Sequence, residues 1–259
     1  MSPWHSLAGK TIWVAGGAGH LGSAITRELD REAAKVICID MPGKAEALVA
    51  REKLTRTIPL SRDLADTATL PAFVAETIAA HGVPDGHLHL TYASSSGKRL
   101  HELSAADFQR TFDQALPATF VLCRELADAM KPLGRGSIVL FSSMYGVVSP
   151  DPRIYHAPMA PNPIDYGAAK AALLQMSRYF AVHYGPAGIR FNAITPGPFP
   201  NPGVQSAHPS FIGDLAKKTA LNRVGQNPEI VGPALFLLTD SASFVTGHTL
   251  AVDGGWTAW

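Results

Sequence analysis

The sequence predicts an α/β fold, a single-domain, doubly wound parallel sheet with helices on both faces. Short apolar runs alternate with helical segments along the whole chain, without an internal repeat, charge block or low-complexity linker. Apolar strands that alternate with helices form parallel sheets buried on both faces. The length of 259 residues suits one such domain, which would span the whole chain. A glycine-rich turn joins the first strand to the first helix.

In the first half of the chain, apolar runs predict strands at 11–15, 35–39, 57–60 and 87–93. Helical spacing of apolar residues predicts intervening helices at 21–31, 44–54 and 66–81. Ser104 begins a long helix towards residue 131, because Asp107 follows three residues later as in a capping box. Pro117 falls inside this helix, and we expect a bend or break there. In the second half, the same patterns predict strands at 137–141, 190–195 and 248–252, and helices at 166–184 and 229–238.

The composition narrows the classes of protein. Hydrophobic residues make up 46% and charged residues 17%, which excludes a disordered chain. The 22 Lys and Arg residues are balanced by 21 acidic ones, so the basic excess of a general nucleic-acid binder is missing. No apolar run reaches the roughly 18 residues of a membrane span, and residues 1–9 show no signal peptide. We therefore expect a cytoplasmic protein without nucleic-acid or membrane partners, whose sparse charge indicates surface covered by another subunit.

The cysteines and two histidines are the candidate metal ligands. Cys38 and Cys123 form neither a CxxC pair nor a zinc-ligand spacing, and each lies in an apolar run. We interpret both as reduced core residues, as in the cytoplasm. His87 and His89 would share one face of a strand, but no cysteine or carboxylate cluster joins them in the sequence. We expect no metal and interpret them as edge or subunit-contact residues.

The first turn, from Ala15 to Gly22, favours nucleotide binding by a Rossmann-type domain. Its glycines allow close approach to a phosphate, and the helix that follows directs unpaired N–H groups at the anion. Asp40 closes the second strand, where a carboxylate accepts bonds from the adenosine ribose and repels a 2′-phosphate. Ala18 offers no basic partner to that phosphate. Lys44 is a possible exception, so we expect NAD (NADH), with NADP less favoured.

An ordered set of motifs follows this turn. They are Ser142-Ser143, Tyr166-Gly167-Ala168-Ala169-Lys170, Asn192-Ala193-Ile194-Thr195-Pro196-Gly197 and Val252-Asp253-Gly254-Gly255. Together with the turn, they resemble the classical short-chain dehydrogenase/reductase family over essentially the whole chain. The resemblance implies an oxidoreductase that interconverts a secondary alcohol and a ketone on a small-molecule substrate. It also suggests a homotetramer, or a homodimer, built partly through helices 104–131 and 165–184.

The catalytic chemistry has its own rationale. Tyr166 and Lys170 are four residues apart on one helix face. A nearby ammonium lowers the pKa of a phenol from its usual value of about 10, so Tyr166 can act as general acid and base. By resemblance, Lys170 also holds the nicotinamide ribose and Ser143 hydrogen-bonds the substrate oxygen. Ser143 is preferred to Ser142 because it lies three residues before Gly146, as the family pattern requires.

The resemblance also implies a set of cofactor-binding residues. They are Gly16, Ala18, Gly19, His20, Leu21, Gly22, Asp40, Asp63, Leu64, Ala93, Tyr166, Lys170, Pro196, Gly197 and Phe199. Asp63 would contact the adenine, and the Pro196-Gly197 turn would pass the nicotinamide. Ile194 and Thr195 would offer backbone groups to its carboxamide.

Four positions depart from the family pattern. The usual Asn-Asn-Ala-Gly reads Thr91-Tyr92-Ala93-Ser94, and Ala115 stands at the asparagine of the proton relay. Pro200 or a neighbour replaces a threonine, and His20 replaces a glycine where it could face the pyrophosphate. The relay then runs through water, or Gln114 substitutes, or catalysis is weak. The alternatives to an alcohol/ketone oxidoreductase are a catalytically weak NAD(H)-binding sensor or scaffold, and a family member performing dehydration or epimerisation.

An insertion separates Ser143 from Tyr166. The extra segment, 148–163, carries five prolines and polar side chains, so we expect it at the site mouth, favouring a polar, sugar- or polyol-like substrate. The alternative is a surface or oligomer-contact loop. By resemblance, 198–223 is a substrate lid. Candidate substrate residues are Ser95, Tyr155, His156, Gln205 and Phe211, and candidate lining residues are Phe199 and His208. The tail with Trp256 and Trp259 would dock on a neighbouring subunit or fray.

Overall fold

The computed structural model describes residues 6–32 and 34–259, and within them the chain forms one parallel sheet of seven strands. The strands are β1 Thr11–Ala15, β2 Lys35–Asp40, β3 Thr57–Ser61, β4 Gly86–His89, β5 Gly136–Phe141, β6 Ile189–Pro196 and β7 Thr249–Val252. The α-helices in these ranges are α1 His20–Arg31, α2 Lys44–Glu52, α3 Leu70–His81, α4 Ala105–Met130, α5 Ile164–Tyr184, α6 Pro202–Ala207, α7 Pro209–Lys217 and α8 Val231–Leu238. The predicted doubly wound fold class is confirmed.

Two apolar layers enclose the sheet, as the alternation within β1 shows. Trp13 lies in the layer shared with α3, α4 and α5, whereas Val14 lies in the layer shared with α1 and α8. The strand order is β3-β2-β1-β4-β5-β6-β7, so the winding direction reverses between β1 and β4. Ligands of such sheets bind beyond the carboxyl ends of the strands at this reversal.

Helix α4 begins as predicted but is not interrupted. The Ser104 hydroxyl accepts from the Asp107 amide at 3.2 Å, while the Ser104 amide donates to the Asp107 carboxylate at 3.0 Å. The helix continues through Pro117, so of the expected bend or break the break is wrong and the bend stays a prediction. Buried residues on both sides of the proline, including Thr111 and Leu122, hold its two halves in one core. That packing offsets the hydrogen bond the proline cannot donate.

The buried polar residues require further corrections. Cys38 and Cys123 are buried and unpaired, as predicted. His87 and His89 are 0% exposed, so the edge or subunit-contact interpretation is wrong, because β4 lies between β1 and β5 in the sheet centre. The strand expected at 87–93 ends at His89, which frees the following residues to line the crevice.

The remaining sequence-based expectations concern the tryptophans of the C-terminal tail and the N-terminal segment. Trp256 packs edge-on against Tyr145 of its own chain with ring centroids 6.5 Å apart, so its expected docking on another subunit is wrong. Trp259 is exposed, and its docking stays a prediction. Residues 1–5 of the segment interpreted as lacking a signal peptide lie outside the described residues. Across 6–32 and 34–259, no helix combines the length and apolar character that a membrane crossing needs.

Candidate active site

The turn between β1 and α1 forms a tight backbone cradle. Gly16 has a φ of +77°, a left-handed conformation that glycine adopts at low cost, and its amide donates to the Ile39 carbonyl at 2.8 Å. A Cβ on Gly22 would collide with the Gly16 carbonyl, so α1 begins too close to β1 for a side chain there. This approach leaves the first amides of α1 beside the crevice, where they suit an anion.

Asp40 faces this cradle from the end of β2. Its carboxylate accepts from the Ala18 amide at 2.9 Å and from the Met41 amide at 2.8 Å, which fixes its orientation. It borders a cleft of about 380 Å³ that lies at the strand-order reversal. The cleft is lined by Gly16, Gly19, Ile39, Asp40, Met41, Lys44, Arg62, Asp63, Leu64, Ala65, Leu90, Thr91, Tyr92, Ala93 and Gln114. Six of the predicted cofactor residues are thereby brought together, and their arrangement fits the adenosine half of a dinucleotide.

Other predicted cofactor residues lie outside the lining of this cleft. The His20 imidazole lies 3.1 Å from the Asn227 amide nitrogen, which also donates to the His20 carbonyl at 2.8 Å, and burial lowers the pKa of His20. The Leu21 side chain is partly buried and packs in the apolar layer of α1 and α8. The ring of Phe199 packs against Gly225, and the Gly197 amide donates to Val252.

The two serines after β5 have different partners. The Ser142 hydroxyl donates to the Lys170 carbonyl at 2.7 Å, which anchors α5 to the end of β5. The Ser143 hydroxyl accepts from the Tyr145 amide at 3.1 Å and hydrogen-bonds the Tyr166 phenol. The geometry therefore favours Ser143 as the residue that shares the substrate oxygen with Tyr166.

Lys170 completes this cluster from one turn along α5. Its Nζ donates to the Phe141 carbonyl at 2.7 Å and lies 5.8 Å from the centroid of the Tyr166 ring. Burial lowers the pKa of Lys170 to about 7 and raises that of Tyr166, while the hydrogen bond from Ser143 opposes the rise. The expected lowering of the Tyr166 pKa is therefore not met, because desolvation of the phenol is the largest influence on that pKa.

The missing asparagine leaves a small cavity beside Lys170. Room for one water molecule remains there, and the lining is Thr91, Tyr92, Ala93, Ala115, Ala169, Lys170 and Leu173. Gln114, the adjacent residue on α4, lines the nucleotide cleft instead. The proposed substitution by Gln114 is therefore not supported, and the geometry favours the route through water.

A polar cluster lies beneath this cavity. The His87 Nε2 is 3.4 Å from the His89 Nδ1, and the His89 Nε2 is 2.7 Å from the Thr91 hydroxyl and 3.0 Å from that of Thr119. The two imidazoles and the Cys123 thiol each place one potential ligand atom within 4.8 Å of the others. Three candidate ligands make an incomplete set for zinc, and hydrogen bonds engage His89 on both nitrogens. The absence of a metal stays a prediction.

The inserted segment and the predicted lid contact each other. The Tyr155 ring lies 5.1 Å from that of Phe211, and its hydroxyl is 2.9 Å from the Tyr145 hydroxyl. The His156 Nε2 is 2.9 Å from an oxygen of the Asp214 carboxylate, one of two polar contacts between the segments. The second joins the Lys218 ammonium to the Asp151 carboxylate at 2.6 Å. Segments 148–163 and 209–218 therefore form one wall.

Two further substrate candidates, Gln205 and Ser95, are hydrogen-bonded to other residues of the protein. The Gln205 amide donates to the Pro200 carbonyl at 2.7 Å, within the start of its own helix. The Ser95 amide donates at 2.9 Å to Asp165, a fully buried carboxylate that precedes Tyr166 and that sequence reasoning missed.

Tyr92 was also missed as a site residue. Its ring stands edge-on to Tyr166 with centroids 6.3 Å apart, and it is 70% exposed. The available signal was its position in the altered Thr91-Tyr92-Ala93-Ser94 segment.

Comparisons with known proteins agree with this geometry. The family model described as "Enoyl-(Acyl carrier protein) reductase" matches residues 16–257. A 2,5-dichloro-2,5-cyclohexadiene-1,4-diol dehydrogenase of Sphingobium indicum is 33% identical, over 97% of this chain and 98% of that protein. A cis-4-hydroxycyclohexanecarboxylate dehydrogenase of Sinomonas cyclohexanicum is 29% identical, over 98% of each chain. The structure of a short-chain dehydrogenase from Leptospira borgpetersenii with bound NAD+ superposes with a TM-score of 0.85 at 28% identity, over 97% and 94% of the chains.

Proposed function

Because this chain belongs to the classical short-chain dehydrogenase/reductase family, whose members bind a nicotinamide cofactor, we propose that it interconverts a secondary alcohol and a ketone with NAD(H). The observation that carries the proposal is the convergence of Ser143, Tyr166 and Lys170 beside the dinucleotide cleft. When bound, the nicotinamide supplies the hydride acceptor for oxidation or the hydride donor for reduction.

The proposed roles follow from the positions of the three side chains. Tyr166 takes the hydroxyl proton during oxidation and returns it during reduction. Ser143 already bonds the phenol, so the two hydroxyls can hold one substrate oxygen between them. Lys170 provides the adjacent positive charge when protonated, and its pKa of about 7 lets it exchange a proton near neutral pH. Segments 148–163 and 209–218 exclude water once substrate is bound.

The preference for NAD(H) rests on Asp40. Its carboxylate lies on the cleft with an orientation fixed by two backbone amides, where it would repel a 2′-phosphate. Lys44 and Arg62 also border the cleft, but Arg62 is paired with Asp66 at 3.4 Å and lies over the Phe73 ring. The fixed carboxylate is therefore the stronger determinant.

For the substrate we propose a hydroxylated carbon ring. Two features of the site wall are aromatic, the edge-on Tyr92 and the Tyr155–Phe211 pair. Flat apolar faces suit a six-membered ring better than an open-chain polyol. The names of the two relatives, a cyclohexadienediol and a hydroxycyclohexanecarboxylate dehydrogenase, support the same class.

A substrate panel tests this proposal. Cyclohexanols, cyclohexanediols, sugars and open-chain polyols are supplied with NAD+ and with NADP+, and NADH or NADPH absorbance is followed. We expect turnover of cyclic alcohols with NAD+. Preferred use of NADP+ would refute the role given to Asp40, and preferred oxidation of open-chain polyols would refute the ring assignment.

A weak or inactive NAD(H) sensor is the second candidate. Burial of both Tyr166 and Lys170 favours it, because desolvation disfavours the charged forms that proton transfer needs. Tight NADH binding without turnover of any alcohol or ketone in the panel would select the sensor. Net formation of NADH would exclude redox-neutral dehydration or epimerisation.

The proposed enzyme is a homotetramer. Helices α4 and α5 expose Phe120, Tyr179 and Val182, the last with 81% of its surface accessible. Such apolar side chains on two adjacent helices suit contact with a second copy. Light scattering should give about four times the mass of 27.5 kDa, and a monomeric mass would refute the assembly.

A further inference from the structure

Two imidazoles lie in the core under the catalytic helix without a role in the proposed reaction. His87 and His89 are fully buried on β4, and burial lowers the pKa of each, so both are neutral near pH 7. The His89 Nε2 lies 2.7 Å from the hydroxyl of Thr91, a residue that lines the same small cavity as Lys170, so the imidazole lies near the proposed catalytic lysine. A buried polar pair is costly unless it is hydrogen-bonded to its surroundings.

Hydrogen bonds tie this cluster to both β4 and α4. The Thr119 hydroxyl donates to the Ala115 carbonyl at 2.7 Å, and its oxygen lies 3.0 Å from the His89 Nε2. The Thr91 hydroxyl lies 2.7 Å from the same nitrogen, and the His87 Nε2 lies 3.4 Å from the His89 Nδ1. Both nitrogens of His89 are therefore engaged.

The same imidazole holds two walls of the cavity beside Lys170. Thr91 lines that cavity and its hydroxyl lies 2.7 Å from the His89 Nε2. Ala115 lines it from α4, and its carbonyl is bonded to Thr119, the other hydroxyl on His89. The cavity borders Lys170 on a third side. His89 therefore connects β4 and α4 at the position where the family carries its relay asparagine.

We propose that His89 is a positioning residue that, through Thr91 and Thr119, holds a single-water site against Lys170 and so replaces the side chain missing at Ala115. The inference rests on the proposed function for its catalytic consequence. Thr91 and Lys170 both line this site, so the Thr91 hydroxyl and the Lys170 ammonium would supply the two polar partners that a buried water requires at least.

The consequence for catalysis concerns the charge on Lys170. A water that accepts from the ammonium favours its protonated form, and the protonated form favours the phenolate of Tyr166. Titratable groups around the pair are His89 and, behind it, His87 and Cys123, with Tyr92, Tyr145 and Tyr155 near the phenol. His87 and His89 are neutral near pH 7, and burial raises the pKa of Cys123, so none of these three supplies a competing charge.

The test compares His89→Leu with His87→Leu. Both substitutions remove a fully buried imidazole from the same face of β4, but only the first removes the partner of Thr91 and Thr119. For His89→Leu we expect kcat for alcohol oxidation at pH 7 to fall about tenfold. The acid limb of the pH–kcat profile should shift to higher pH by about one unit. The substrate KM should change by less than about twofold. His87→Leu should leave the pH profile in place.

Two further measurements keep the proposal testable if a histidine variant fails to fold or if no substrate is turned over. Thr119→Val should reproduce the shift, whereas Thr119→Ser, which keeps the hydroxyl, should behave as the unaltered protein. The dissociation constant of NADH, measured by fluorescence across the same pH range, requires no turnover. Because Lys170 borders the proposed nicotinamide ribose, the pH dependence of the NADH dissociation constant should shift in His89→Leu and Thr119→Val only.

The outcomes separate the proposal from the proposed function. Equal pH shifts in the two histidine variants, or none in either, would overturn the role of His89. An unaltered protein that turns over no alcohol would refute the proposed function, while the NADH profiles would still decide on His89.

Discussion

Neutralising Asp40 should relax the preference for NAD+ over NADP+. The carboxylate is fixed on the cleft by the Ala18 and Met41 amides at 2.9 and 2.8 Å. A 2′-phosphate carrying about two negative charges would lie within about 6 Å, and screening at an exposed rim leaves roughly 2 kcal/mol of repulsion. Removing that repulsion in Asp40→Asn should raise kcat/KM for NADP+ about 30-fold. The value for NAD+ should fall about fivefold, because a neutral amide binds the ribose hydroxyls less strongly.

The assay is the ratio of kcat/KM values for NAD+ and NADP+ with one alcohol, supported by dissociation constants for NADH and NADPH. Asp63→Asn is the matched control, since Asp63 borders the same cleft but bonds the Ala65 amide. That control should change the ratio by less than about threefold, because the resemblance places Asp63 at the adenine and not at the ribose. An unchanged ratio in Asp40→Asn, or a preference of the unaltered protein for NADP+, would refute the reasoning.

Three other experiments test the roles of buried groups, two of them with a control substitution. Ser143→Ala should lower kcat about 100-fold, whereas Ser142→Ala should chiefly destabilise α5 by about 1 kcal/mol, as kinetics and urea unfolding will show. Lys170→Met should abolish turnover yet raise the free energy of unfolding at pH 7 by about 2 kcal/mol. The pKa of Lys170 is about 7 in the folded protein and 10.5 in the unfolded reference, so the unfolded chain binds more protons between these two pH values. The free energy of unfolding of the unaltered protein should therefore increase as the pH rises from about 7 towards 10.5. Asp30→Ala should lower the free energy of unfolding in urea by about 3 kcal/mol, because the buried carboxylate accepts three hydrogen bonds. Asp113→Ala at the surface should lower it by less than about 0.5 kcal/mol.

Local patterns were sufficient for the fold and the cofactor cleft. The glycine turn, the strand closed by Asp40 and the capping box at Ser104 each depend on residues within one or two elements. Such signals survive folding because short-range backbone geometry determines them. The sheet order then brings Asp40 and Asp63 to one crevice, as expected for the carboxyl ends of neighbouring parallel strands.

Long-range packing determines the surroundings of the two histidines and of the inserted segment, which the sequence alone did not predict. His87 and His89 have the alternating polar pattern of a half-exposed strand, yet their environment is set by Thr119 and Cys123 on α4. The inserted segment is polar in composition, but the Asp214 carboxylate engages its His156, and its Tyr155 joins an aromatic wall. Because these side chains bond to other residues of the protein, the polar composition of the segment does not by itself indicate a polar substrate, and we propose a ring compound in place of a sugar or polyol.

The charge state of the catalytic pair also depends on the folded core. The sequence spacing brings Tyr166 and Lys170 to one helix face, and from spacing alone the ammonium should lower the pKa of the phenol. In the folded protein, burial of the phenol raises the pKa of Tyr166 instead, and burial of Lys170, whose Nζ donates to the Phe141 carbonyl, lowers the pKa of the lysine to about 7. Exposure is a tertiary property that motif spacing does not contain.

Tyr166→Phe tests the central claim most directly. The substitution keeps the ring that stands against Tyr92 and removes only the hydroxyl bonded to Ser143. We predict that the variant binds NADH with an affinity within about twofold of the unaltered protein, while kcat for a cyclic alcohol falls at least about 1000-fold. Unchanged turnover in a variant that still binds NADH would contradict the account.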